Sequence, residues 1–206
     1  QVTGAQTALR YQVHPLVRAF FAVKLGELAE ATSLQWGFAQ AITVVAKTIP
    51  QNVTLAVRAQ VTEAVPHMEE VAAKWTEILE GIDKLWCCGG LARFYKNLSQ
   101  WSDAERCRRR SLAVSQMQLG NHHPDTASSL HNLAALHKSQ GLYDKAEPLY
   151  LEALEIRKTE LGDRHPDTAA SLNDLAGLYA SQGLYKEAEP LYLEALEIRK
   201  TELGDR

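Results

Sequence analysis

The nineteen residues Ala146-Glu147-Pro148-Leu149-Tyr150-Leu151-Glu152-Ala153-Leu154-Glu155-Ile156-Arg157-Lys158-Thr159-Glu160-Leu161-Gly162-Asp163-Arg164 return letter for letter as Ala188–Arg206. Extended to His123–Arg164 against His165–Arg206, the comparison keeps 34 of 42 positions identical without a gap. One further step back, Gly81–His122 holds Leu91-Ala92, Tyr95, Asp103-Ala104-Glu105, Leu112 and Leu119-Gly120 in the same register. A fixed period of this length marks stacked supersecondary units, each burying its apolar face on the next.

Within a unit the apolar spacing is helical. Leu130, Leu133, Ala134 and His137 fall at i, i+3, i+4, i+7, and Ala146, Leu149, Tyr150, Ala153 and Leu154 form a second stripe. Gly141, between the stripes, suits the left-handed conformation that ends a helix. His165-Pro166-Asp167 starts the next helix, with Pro166 at the first helical position and Asp167 near the positive end of the dipole. Each unit is therefore a helix–turn–helix hairpin. Pro148 and Pro190 fall early in each second helix and predict a mild bend.

Leu130, Leu133-Ala134, His137, Gly141, Tyr143, Ala146, Tyr150 and Ala153 resemble the tetratricopeptide repeat (TPR) signature, and Leu172, Leu175-Ala176, Tyr179, Gly183, Tyr185, Ala188, Tyr192 and Ala195 repeat it. The period of 42, with His-Pro-Asp-Thr-Ala and Leu-Tyr-Leu-Glu-Ala-Leu, resembles the kinesin-light-chain variety. The first unit departs: Ser99 stands for the turn glycine, Arg108 for the second aromatic and Ser111 for the packing alanine.

The first eighty residues also read as helices, over Pro15–Ala31, Leu34–Thr48, Val53–Val65 and Met68–Glu80, with breaks at Thr32-Ser33, Pro50-Gln51-Asn52 and Pro66-His67. Leu9–Val13 alternates and could be a strand. With two degenerate hairpins here, the resemblance implies an all-α fold, a right-handed α-α superhelix of about five hairpins. The expected division is 1–80, a degenerate TPR at 81–122, and TPRs at 123–164 and 165–206.

Arg10-Tyr11-Gln12-Val13-His14-Pro15-Leu16-Val17-Arg18-Ala19-Phe20-Phe21 resembles the end of the winged-helix region of NB-ARC-type STAND NTPases, in bacteria often followed by such repeats. The resemblance implies that His14 matches a nucleotide-sensing histidine, with Pro15 in place of the family's Asp. It also implies an upstream NTPase domain using ATP or ADP with Mg, while no cofactor is expected for these residues themselves.

Composition narrows the function. Of 206 residues, 46% are apolar and 23% charged, which excludes wholesale disorder, and the net charge of −3 lacks the basic excess of a nucleic-acid binder. By unit the charge runs +4, −2 and −4, so Arg106-Cys107-Arg108-Arg109-Arg110 is expected to be a solvated face or a contact to the NTPase domain rather than a basic track. No apolar run approaches the roughly 20 residues of a membrane span. The three cysteines (Cys87, Cys88, Cys107) lack zinc-ligand spacing and read as buried small hydrophobes of a reducing compartment. Gly89-Gly90 reads as a close helix approach or a break rather than a ligand cradle. No phosphate loop or catalytic constellation occurs. The chain opens Gln1-Val2-Thr3-Gly4 without Met or leader, as expected of a piece of a longer cytoplasmic protein.

The eight differences between the near-identical units locate a binding face. They are Ser128/Ala170, His131/Asn173, Asn132/Asp174, Ala135/Gly177, His137/Tyr179, Lys138/Ala180, Asp144/Lys186 and Lys145/Glu187. Six fall on the first helix, while the second-helix exterior is copied unchanged. Since the resemblance places first helices along the inner groove, the expected peptide-binding residues are Arg93, Lys96, Asn97, His131, Asn132, Ala135, Lys138, Asn173, Asp174, Gly177 and Ala180. Asparagines can both donate to and accept from an extended backbone, and Ala and Gly leave room for it. The expected partner is a protein or peptide, with self-association through Leu191, Leu193, Leu196 and Ile198 of the uncapped last unit.

Overall fold

The computed structural model describes residues 31–74 and 83–203, and every regular element among them is an α-helix. The helices are α1 (Ala31–Thr48), α2 (Leu55–Thr62), α3 (Val65–Lys74), α4 (Asp83–Asn97), α5 (Trp101–Leu119), α6 (Pro124–Ser139), α7 (Tyr143–Leu161), α8 (Pro166–Ser181) and α9 (Tyr185–Leu203). The pairs α4/α5, α6/α7 and α8/α9 are the three hairpins, and they stack in series: α5 packs on α6 and α7 on α8. This is an α-α superhelix.

Local chemistry sets the boundaries. α6 and α8 begin with Pro124 and Pro166, and the imidazoles of His123 and His165 cap them: the backbone N–H of Asp125 and of Asp167 each donates to Nδ1 at 3.1 Å. Thr126 and Thr168 donate to the carbonyls of Gly120 and Gly162 at 2.7 and 2.8 Å, tying each first helix to the turn before it. The hairpin turns use Gly141 and Gly183 at φ 74° and 78°; Ser99, one period earlier, is held at φ 57° without glycine's freedom. α7 and α9 run unbroken through Pro148 and Pro190.

Upstream, the structure refines the expected helices. Leu34–Thr48 appears within α1, which runs through the break expected at Thr32-Ser33, and Val53–Val65 contracts to α2. The break expected at Pro66-His67 is instead the first turn of α3, where a proline sacrifices no intrahelical bond. The expected helix at Pro15–Ala31, the strand at Leu9–Val13 and the motif around His14 lie outside the described residues, as does the end of Met68–Glu80.

α1 and α3 both pack on α4. Their shared core joins Ala39, Ile42, Ala46, Met68 and Val71 to Cys87, Cys88, Leu91 and Ala104. Gly90 makes the α1–α4 crossing close, since a Cβ there would lie 2.8 Å from the carbonyl oxygen of Ala46. All three cysteines are buried, and burial pushes the Cys88 thiol up to about 12 and that of Cys107 to about 11, so both act as apolar filler.

Candidate protein-binding face

The face expected to bind is built from α6 and α8. In each helix one side is consumed by packing: Leu130, Leu133, Ala134 and His137 in α6, and Leu172, Leu175 and Ala176 in α8, are buried. The neighbouring positions, His131, Asn132, Ala135 and Lys138 in α6 and Asn173, Asp174, Gly177 and Ala180 in α8, are all half-buried. Across the joint between the two units His131 meets Asp174 and Lys138 meets Gly177.

Their contacts are specific. The His131 ring meets the Tyr150 ring edge-on at 5.3 Å, and its Nε2 lies 3.5 Å from Asp174 Oδ2. Lys138 reaches over Gly177, where a Cβ would stand 2.9 Å from its Nζ and 3.3 Å from the Tyr192 hydroxyl. Burial lowers the Lys138 ammonium, partly offset by Asp174, and burial likewise lowers His131 against the same carboxylate. Burial, with Asp174 second, raises the Tyr150 phenol. Asp174 is thus the common electrostatic neighbour of this part of the face. It sits one unit after Asn132, so the two units differ in charge at one register position.

In the first unit two of the expected residues make hydrogen bonds to the segment after α1, Arg93 from a buried and Asn97 from an exposed position. Arg93 is buried, with Nε donating to the carbonyl of Ile49 at 2.7 Å and Nη2 to that of Ala46 at 3.0 Å. Asn97 Oδ1 accepts from the N–H of Val53 at 3.0 Å, and its Nδ2 donates to the carbonyls of Gln51 and Arg93, both at 2.8 Å. Both side chains anchor the segment after α1, because the packing of α1 against α4 brings that segment's carbonyls and N–H groups onto them. Lys96 stays half-buried on the same helix.

The joints between units contain residues that sequence reasoning missed. Arg157 is buried in α7, with Nη1 donating to Ser171 Oγ at 2.7 Å and to the carbonyl of Asp167 at 3.3 Å, and Nη2 donating to Ser128 Oγ at 3.1 Å. At the preceding joint the equivalent pair is Ser115 and Ser129, their hydroxyls 2.6 Å apart. The arginine run also divides unexpectedly: Arg106, Arg109 and Arg110 are exposed as expected, whereas Arg108 is buried. The signal available was its place in the aromatic slot of the repeat. In the last hairpin Ile198 is buried and Leu191 half-buried against α8, which removes them from the exposed face expected there; Leu193 and Leu196 are open.

No helix among the described residues is long and apolar enough to cross a membrane. The tetratricopeptide repeat family model matches residues 83–159 and 127–201. A crystal structure of nearly identical TPR-like repeats from a Podosopora anserina protein described as a kinesin light chain is 26% identical, with a TM-score of 0.58, covering 89% of this chain and 92% of that one. A single-residue variant of the same repeats is 25% identical, with a TM-score of 0.60, covering 94% and 99%. A comparison with curated proteins finds no match. With the family model spanning all three hairpins and their helices stacked in series, the chain belongs to the tetratricopeptide repeat family.

Proposed function

We propose that the first-helix face of α4, α6 and α8 binds an extended segment of a partner protein, and that these residues are the cytoplasmic sensor arm of a bacterial STAND-type (NB-ARC) ATPase. The observation that carries the binding reading is the placement of the differences between the two near-identical units. Asn132/Asp174, Ala135/Gly177 and Lys138/Ala180 all fall on half-buried positions of one face, while α7 and α9 differ only in their exposed first turn, at Asp144/Lys186 and Lys145/Glu187. A stacked helical scaffold holds such a face rigid and leaves its side chains free to vary. The Arg10–Phe21 resemblance supports the NTPase context, in which capture of a partner by the repeats would release an ADP-locked upstream domain. That coupling requires the partner to bind the released state more tightly than the locked one.

Asn132→Ala combined with Asn173→Ala is expected to abolish capture of proteins that co-purify with the parent protein. Glu155→Ala with Glu197→Ala, on the exposed second-helix side, is expected to leave capture intact. The reverse pattern overturns the assignment. The second reading is a free-standing scaffold that tethers partners, favoured by the likeness to the Podosopora anserina repeats. A phosphate-binding loop in the upstream coding sequence decides between the two.

A further inference from the structure

α9 carries a face whose complement is visible elsewhere in the molecule. From Ala188 onward its sequence is that of α7, so Tyr185, Glu189, Tyr192, Leu196 and Arg199 stand where α7 has Tyr143, Glu147, Tyr150, Leu154 and Arg157. In α7 this face receives α8. Tyr150 and Leu154 are buried there, Glu147 accepts from the Tyr179 phenol at 2.8 Å, and Arg157 donates to Ser171 Oγ at 2.7 Å. Those two contacts also fix a direction: Glu147, early in α7, meets the end of α8, while Arg157, late in α7, meets its first half. The face is therefore shaped for an antiparallel helix. In α9 all five of its residues are exposed.

The five follow one another at intervals of 4, 3, 4 and 3 residues, the alternation that lets two helices share one seam. From Glu189 to Arg199 the seam is about 15 Å long. It is acidic at one end, basic at the other, and apolar between them at Tyr192 and Leu196. Such a seam complements its own reverse. A two-fold axis at the level of Glu194 sets Tyr192 against Leu196 of a second copy and Glu189 against Arg199 of that copy, each contact being made twice. A parallel pair would instead oppose Glu189 to Glu189 and Arg199 to Arg199. Sliding the antiparallel pair by seven residues puts Arg199 on Leu196 or Glu189 on Tyr192, so one register alone matches charge to charge. The α8 of a second copy is not available as the occupant, because its own α7 covers it.

We propose that this face of α9 joins two copies of the chain in an antiparallel, two-fold pair, through Tyr192–Leu196 packing and reciprocal Glu189–Arg199 ion pairs. The surface lies on a second helix, apart from the first-helix face, and stands independently of the function proposed above. One helix pair is small beside a standard interface of about 1,600 Å², so the dimer is weak and reversible.

Sedimentation equilibrium of the 206-residue chain is expected to show monomer and dimer and nothing larger. Glu189→Arg alone and Arg199→Glu alone each bring like charges together, and each should weaken the dimer at least about tenfold. Both positions are exposed, so the variants should melt as the parent does. Glu189→Arg combined with Arg199→Glu exchanges the two charges and should recover the parent's dimer. A mixture of the two single variants should dimerise as well, now as a heterodimer. The chain is also offered a peptide of the α8 sequence, Pro166–Ser181, which covers the same face in α7. Saturable binding of that peptide by a chain that stays monomeric assigns the face to a further first helix and overturns the proposal. A dimer indifferent to the single charge reversals, a combined variant no better than the single ones, or assembly beyond two copies overturns it equally.

Discussion

The phenol of Tyr179 donates to Glu147 Oε1 at 2.8 Å, and the same cross-unit contact recurs at each earlier joint with altered chemistry. One period back, His137 Nε2 lies 4.0 Å from Glu105 Oε1; at the joint before that, Tyr95 donates to Glu69 Oε1 at 2.6 Å. Glu69 is 36 residues before Glu105 rather than 42, so α3 supplies through packing an acceptor that the period alone would not place there. Burial first, then the hydrogen bond it donates to Glu147, pushes the Tyr179 phenol up to about 12, so it stays a donor at neutral pH.

His137 is the titratable member of that series. It is buried, its Nδ1 has no partner, and burial lowers it from the ordinary 6.5 against the opposing pull of Glu105. A base whose folded value lies below its unfolded value contributes fully above the unfolded value. That contribution is lost as pH falls below 6.5, because the unfolded chain takes the proton first. The urea midpoint is therefore expected to drop from about pH 7.5 to about pH 5, with His131 adding in the same direction. His137→Tyr, the residue of the next unit, should flatten the drop; an unchanged slope counts against the assignment.

Arg157 and Arg199 occupy the same place in identical sequence but different surroundings. Arg157 is buried with three acceptors, whereas Arg199 is exposed. Arg157→Ala is expected to cost about 2–3 kcal/mol and Arg199→Ala within about 0.5 kcal/mol, read from chemical denaturation. Equal losses would mean that the joint contacts carry no stability.

Adjacent glycines should respond with opposite sign. Gly90→Ala drives a methyl against the Ala46 backbone and should destabilise by about 1–3 kcal/mol. Gly89→Ala meets only a side-chain tip at ordinary contact distance, and should gain about 0.5–1 kcal/mol from helix propensity. Thermal melts of the two single variants separate them.

At Ser99 the backbone adopts the left-handed conformation that glycine supplies in the later turns. Ser99→Gly is expected to raise stability by about 1 kcal/mol, since relief of the Cβ penalty outweighs the added freedom of the unfolded chain. A lower melting temperature would contradict this.

Tyr192 and Leu196 are 40% and 48% exposed, while their equivalents Tyr150 and Leu154, at the joint with α8, are 3% and 8% exposed. We expect the chain to associate through this face of α9 at high concentration, and Leu196→Lys to suppress it in sedimentation equilibrium. A parent chain that stays monomeric at the highest concentration reached removes the expectation.

Much of this was written in the chain itself. The hairpins, their turns at Gly141 and Gly183, the starts at Pro124 and Pro166 and the inward stripes follow from spacing and from residues whose preferences are local. Reach is what spacing lacks. That histidine caps the helices through Nδ1 was not legible, since serine or aspartate is the usual signal. Nor was the contraction of the expected Val53–Val65 helix, because Pro66 serves as well to open a helix as to end one.

The sequence by itself determined the period, the helical class and the order of the hairpins, because those rest on interactions within four residues or between copies that repeat identically. The tertiary structure alone decided which polar side chains are tied to distant parts of the chain. Arg93 and Asn97 look like groove residues until α1 folds across α4 and carries the carbonyls of Ala46, Ile49 and Gln51 onto them. Arg108 looks solvated until the helix turns most of it into the slot that an aromatic ring fills in the later units. A long polar side chain takes whatever partner the fold brings within hydrogen-bonding distance, and that partner can lie forty or more residues away in the chain.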